Sequence, residues 1–182
     1  MGSDPGSVEG MGSAQLEILD DGHRIVFSFE DLLKYHGRGA VGGVAHGFKM
    51  LERGLPLLAD GGPLERADIS VETAFGGAGA RDAIEMVTRA VTGGRFSYDP
   101  DIAPEAPVAP IGRYFFRLIH RGGTAVELTL RRGLIIDEFT QLATRGPASP
   151  EEEQRLEQLK QEMADRLMLL PAAVVYDARS PS

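Results

Sequence analysis

VETAFGGAGARDAIEMVTRAVTGG, residues 71–94, reads as a strand, a glycine turn and a helix in direct succession. Val71, Thr73 and Phe75, with Ile69 just before them, fall on every second residue, the period of a strand with one buried face. GGAG at 76–79 breaks that alternation. Ala80, Ala83, Ile84, Val87 and Val91 then recur at helical spacing, and Gly93-Gly94 is expected to stop the helix. A glycine turn that feeds a helix lets backbone N–H groups approach a ligand closely, and the helix N-terminus favours an anion there.

Upstream, HGRGAVGGVAHG at 36–47 is a second glycine-rich stretch. From Val44 the apolar positions Val44, Phe48, Leu51 and Leu55 define one helix face, with Pro56 expected to end its regular part. Before it, Ser28 to Asp31 is a capping signature for a short helix reaching about His36. Residues 15–27 alternate loosely around Asp20-Asp21-Gly22, as a small hairpin would. Downstream, Phe96 to Tyr98 reads as a short strand and the proline-rich stretch 99–112 as an extended loop. RYFFRLIHR (113–121) and TAVELTLRR (124–132) form the clearest hairpin, joined at Gly122-Gly123. A short helix is expected over 135–144. Ser149-Pro150 caps a longer one whose stripe is Leu156, Leu159, Met163, Leu167 and Leu170, with Glu151/Arg155 and Glu162/Arg166 spaced as ion pairs. Pro171 ends it, and the tail turns polar after Val175. The order of elements gives the α+β class.

The chain has 182 residues, 42% apolar and 25% charged, with no Cys and no Trp. That suits one domain, expected over 13–178, preceded by a mobile expression remnant over 1–12 and followed by a polar tail over 179–182. The absence of cysteine excludes disulfides, thiolate metal sites, iron–sulfur clusters and a cysteine nucleophile. The 27 acidic residues outnumber the 19 basic ones, for a net charge of −8, which argues against a nucleic-acid partner. No apolar run reaches the ~20 residues of a membrane span, and no signal-peptide core is present, so a cytoplasmic protein without a membrane partner is expected.

Three stretches together resemble the FmdE family, which takes its name from formylmethanofuran dehydrogenase. HGRGAVGGVAHGFKML (36–51) is similar to the family's HGHxCPGxAxGYxxA segment. VETAFGGAGARDAIEMVTRAVTGG is similar to its ETxxCxxDAIQxxTGCTxGxGN segment, and RLMLLPAAVVYDAR (166–179) to its helix-Leu-Pro ending. The resemblance implies a mixed sheet packed on helices, a site between the HG loop and the strand–DAI turn, and a homodimer. It matches His36 to the motif His, Gly37 to its Gly, Glu72 and Thr73 to the ET pair, and Asp82 to the Asp of DAI. The departures fall on the sulfur and imidazole donors. Arg38 stands for the second motif His, and the three cysteines fall at Ala40 or Val41, at Gly79 and at Ala90. The thiolate chemistry of the family is therefore absent.

The candidate site combines both glycine stretches. His36 is the acid–base or hydrogen-bonding candidate, with Asp82 or Glu72 to orient it. Gly37, Gly42, Gly43 and Gly79 offer backbone amides, Arg38 and Arg81 charge-assisted contacts to a carboxylate or phosphate, and His46 and Thr73 further polar contacts. The structural alternatives are ordinary: tight turns without a ligand, Asp82 serving its helix dipole, His46 as a satisfied core histidine, Glu72 merely exposed. The leading expectation is a small-molecule-binding domain for a polar or anionic ligand, with catalysis left open. The alternatives are a non-catalytic accessory component of a molybdenum- or tungsten-type or other cofactor-handling complex, and a protein holding a divalent metal such as zinc through His and carboxylates.

Overall fold

The computed structural model of the protein describes residues 14–59 and 61–181, so the expected leader over 1–12 lies outside it. β1 (Gln15–Asp20) and β2 (His23–Ser28) form the antiparallel hairpin, turned by Asp21 and Gly22 at φ 49° and 78°. Both signs are those a two-residue hairpin turn needs to match strand twist. Ser28 then caps α1 (Phe29–His36) reciprocally. Its hydroxyl accepts the Asp31 N–H at 3.2 Å, and the Asp31 carboxylate accepts the Ser28 N–H at 2.9 Å.

α2 (Val41–Ala59) begins three residues before the expected start and runs through Pro56. Pro56 sits one turn from the end, where the single N–H it lacks would have served the Glu52 carbonyl. The early start has a packing cause. α2 is buried on nearly all sides, and its glycines are the places where neighbours come closest. A Cβ on Gly47 would lie 2.7 Å from the Ala83 Cβ, and one on Gly54 would lie 2.5 Å from a Leu118 methyl.

β3 (Ile69–Phe75) leads into α3 (Ala78–Thr88), which ends five residues before Gly93. Polar side chains close it early. The Thr88 hydroxyl donates to the Ile84 carbonyl at 2.7 Å and accepts the Ala90 N–H at 3.1 Å, while the Glu85 carboxylate accepts the N–H groups of Val91 and Thr92. Two guanidinium groups cover the terminal carbonyls: Arg66 donates to Met86 and Val87, and Arg95 to Thr88 and Arg89. The negative end of the α3 dipole thus carries two cations.

β4 (Phe96–Tyr98), β5 (Gly112–His120) and β6 (Ala125–Leu130) follow, then α4 (Asp137–Arg145), α5 (Pro150–Leu169), α6 (Ala172–Val175) and β7 (Tyr176–Arg179). β7 takes part of the stretch expected to be a polar tail and places Tyr176 fully inside. The main sheet has the order β4-β3-β5-β6-β7, with β3/β4 parallel and the other pairs antiparallel. The fold is α+β with a mixed sheet. One sheet face, carrying Val71, Phe116, Leu118, Leu128 and Tyr176, packs against the helices. The other face carries a charge ladder across four strands: Arg117 bonds Glu72 at 2.6 Å and Glu127 at 2.7 Å, and Arg179 bonds Glu127 at 2.6 Å. In α5 the ion pairs differ from the spacing expectation. Arg155 reaches across to Glu138 of α4 at 2.6 Å and along α5 to Glu162 at 3.1 Å, and Arg166 donates to the Gly133 carbonyl, in place of the expected Glu151/Arg155 and Glu162/Arg166 pairs. No described helix is long and apolar enough to cross a membrane.

Candidate functional site

The two glycine stretches meet. A Cβ on Gly43, in the first turn of α2, would lie 3.3 Å from the Gly79 Cα, in the first turn of α3. One turn later in both helices, a Cβ on Gly47 would lie 2.7 Å from the Ala83 Cβ. Residues advance together along both helices, so α2 and α3 run parallel with their N-termini side by side. The amides of Val41, Gly42 and Gly43 and those of Ala78, Gly79 and Ala80 precede the first intrahelical bonds, which are Val44 N–H to Ala40 at 3.0 Å and Arg81 N–H to Gly77 at 3.2 Å. Neither first turn contains an acidic residue, and Gly77 provides no side-chain cap for α3. Two positive dipole ends therefore lie in contact without a compensating charge.

A cavity of about 200 Å³ opens at that junction. Ala40 lines it just ahead of α2, Gly42 and Gly43 from the first turn of α2, and Gly77, Ala78 and Gly79 from the start of α3. Phe75, Tyr114, Ile111, Phe139 and Met163 make the rest of its wall predominantly apolar, with Lys160 also at its lining. The Phe75 and Tyr114 rings stack at 5.1 Å with an interplanar angle of 22°. Tyr114 also lies 4.7 Å, centroid to centroid, from the His46 ring.

His46 is fully enclosed. Its Nδ1 lies 2.8 Å from the Tyr176 hydroxyl and its Nε2 lies 3.2 Å from the Met163 sulfur. A thioether only accepts, so the ring proton belongs on Nε2, and Tyr176 O–H donates to Nδ1. Burial pushes the imidazole down to about 3, leaving it neutral. With both nitrogens engaged, His46 orients its neighbours and offers no free proton acceptor. Burial also raises the phenols of Tyr114 and Tyr176 above their ordinary value. The Tyr176 hydroxyl is spent on His46. The Tyr114 hydroxyl makes no hydrogen bond to another described residue.

His36 and Asp82 come together, Nδ1 to Oδ2 at 2.7 Å, and tie the end of α1 to α3. Neither lines the cavity; the pair holds the HG loop against the helix that forms its floor. Arg38 and Arg81 are exposed and also stand outside the lining. Gly37, at φ 86°, closes α1 by donating to the Leu33 carbonyl at 2.7 Å. Glu72 belongs to the charge ladder on the far face of the sheet. The Thr73 hydroxyl donates to the Phe115 carbonyl at 2.7 Å and accepts the Phe75 N–H at 2.9 Å, which supports the irregular register of β3 and β5 beside the cavity. Among the described residues no three His, Asp or Glu side chains gather as a metal site. With only apolar residues or glycine at Ala40, Val41, Gly79 and Ala90, the donors present do not fit a metal at this junction.

The family model for FmdE, described by the molybdenum formylmethanofuran dehydrogenase operon, matches residues 35–177. The chain belongs to the FmdE family. The matched span takes in both glycine stretches and every residue lining the cavity. No curated protein matches the chain. Within this FmdE domain, sequence reasoning passed over the aromatic wall. Phe75, at the strand end just before the glycine turn, carried a local signal; Tyr114, Phe139 and Met163 arrive from distant elements and carried none.

Proposed function

We propose that this FmdE-family chain is a small-molecule-binding domain whose ligand carries an anionic group, held where α2 and α3 begin. The contact of two parallel, uncapped and acid-free helix N-termini at Gly43 and Gly79 carries this reading. Parallel dipoles side by side repel, and an anion between their positive ends relieves that repulsion while satisfying amides that otherwise need solvent. Lys160 at the rim is already engaged, its Nζ bonding the Glu157 carboxylate at 2.6 Å and the Gly39 carbonyl at 3.1 Å, so the amides rather than a free cation carry the anion in this reading. The His36–Asp82 pair fixes the geometry from behind, so its role in this reading is positioning.

The volume sets the scale. About 200 Å³ falls below the range that holds drug-sized ligands, so the ligand is small. The test uses Ala78→Asp. Ala78 is exposed, is the first residue of α3, and lines the cavity. A carboxylate there favours the helix dipole and occupies the charge an anionic ligand would meet. Acetate and phosphate titrations followed by amide NMR should shift Gly43 and Gly79 saturably. Ala78→Asp should weaken that binding about tenfold or more while thermal stability holds or rises. Unchanged affinity in Ala78→Asp, or no response of these amides to either anion, would refute the reading.

A further inference from the structure

Resting on that reading, we infer the ligand class: a small aromatic carboxylate that bears a hydrogen-bonding substituent. A dry apolar cavity of about 150 Å³ is enough to hold benzene, so about 200 Å³ has room for one ring and a carboxylate. Beyond the helix starts, the wall is mostly the Phe75, Tyr114 and Phe139 rings with Pro110, Ile111 and Met163; the other polar side chains on it, His46 and Lys160, already have partners. Phe75 and Tyr114, stacked on each other, bring aromatic carbon to the wall, against which a ring packs edge-to-face or offset, and sulfur packs well against a ring. An inorganic anion would leave this space unfilled. A sugar or polyol would set its hydroxyls against groups that cannot pair with them.

One polar group besides the amides remains to be answered. Tyr114 is 2% exposed, lines the cavity, and has a hydroxyl without a partner among the described residues. The single fully enclosed side-chain polar atom lacking a partner among those residues is Arg53 Nε, so the Tyr114 oxygen keeps contact with the cavity space. A buried hydroxyl facing an otherwise apolar hollow selects a ligand with a matching donor or acceptor. Carboxylate to the helix starts, ring to the aromatic wall, and substituent to Tyr114 give each of these surfaces a counterpart.

The experiment titrates the full chain with benzoate, the three hydroxybenzoate isomers and acetate, reading the amides of Gly42, Gly43 and Gly79 by NMR. Benzoate should bind at these amides at least tenfold more tightly than acetate, and one hydroxybenzoate isomer more tightly still. Tyr114→Phe should weaken that isomer about 3- to 10-fold, the loss of one hydrogen bond, and leave benzoate within about twofold. If acetate binds as tightly as benzoate, the aromatic class falls and the anion reading stands. If no isomer exceeds benzoate, or Tyr114→Phe changes both equally, the substituent is overturned. Silence at these amides with every probe overturns both the class and the reading beneath it.

Discussion

Lowering the pH from about 7.5 to about 5 should cost the folded protein about 2 kcal/mol of stability, and His46 should be the cause. The imidazole lies at about 3 when folded, against 6.5 in a free chain. The unfolded state therefore takes up a proton that the folded state refuses, and stability rises with pH across this window. The contribution is fully present above 6.5 and is lost progressively as the pH falls toward 3, at about 1.4 kcal/mol per unit and ~5 kcal/mol in all. Glu85 and Glu127 are held below the usual 4.5, Glu85 by hydrogen bonds from Thr92 and Val91 and Glu127 by Arg117 and Arg179, against the opposing effect of burial. Their losses begin only below that value. Urea unfolding followed by circular dichroism at each pH measures the effect. His46→Gln keeps an acceptor for Tyr176 and a donor for Met163 but has no proton to gain, so its stability should be nearly flat between about pH 7.5 and about pH 5. A wild-type protein equally flat over that window would show that His46 is not enclosed as described.

The second large effect is expected at Gly79. Helix propensity alone would make Gly79→Ala stabilising by about 1 kcal/mol. Here the new Cβ would lie 2.6 Å from the Val44 nitrogen, 2.7 Å from the Ala40 oxygen and 2.9 Å from the Gly43 carbonyl carbon. All three are backbone atoms of α2 and its approach, so no side chain can swing away. Relief requires the two helix starts to separate, at a cost of about 3 kcal/mol or more. Gly39→Ala is the matched control: nothing lies within 4 Å of a Cβ there, and the change should stay within about 0.5 kcal/mol. Denaturation midpoints of the two variants against the parent decide it. A Gly79→Ala protein as stable as the parent would mean that α2 and α3 do not touch at their N-termini.

Local signals carried most of the element map. The Ser28 capping box, the alternation from Ile69 to Phe75, the paired strands around Gly122-Gly123 and the stripe from Leu156 to Leu167 all rest on neighbours in sequence. The misread boundaries share a different origin. Gly42 and Gly43 look like a loop until Met163 and Gly79 are placed against them, because only tertiary approach explains glycine inside a helix. Thr88 and Glu85 end α3 by bonds whose partners lie two to seven residues on, with no periodic signature. β7 has four residues, too few to show alternation, and owes its existence to β6.

The candidate site was legible to a similar depth. That two glycine stretches face one hollow follows from the strand–turn–helix reading and the family motifs, and His36 does meet Asp82. The chemistry of the hollow was not legible. A polar interior was expected from the charged residues in both motifs. Arg38 and Arg81 instead face solvent, Glu72 lies on the other side of the sheet, and aromatic side chains from β3, β5 and α4 fill the wall. In the proposed reading, the polarity of the site comes from backbone amides at the two helix starts and from the Tyr114 hydroxyl, which neither glycine motif marks.

If two helix N-termini jointly hold an anion, a bound carboxylate must touch both. A crystal structure of the protein grown with benzoate tests it most directly. The carboxylate should lie within hydrogen-bonding distance of amides from both the Gly42-Gly43 and the Ala78-Gly79 segments, with the ring against Phe75 and Tyr114. Benzoate bound elsewhere with this junction left empty, or a junction closed by side chains, would contradict it.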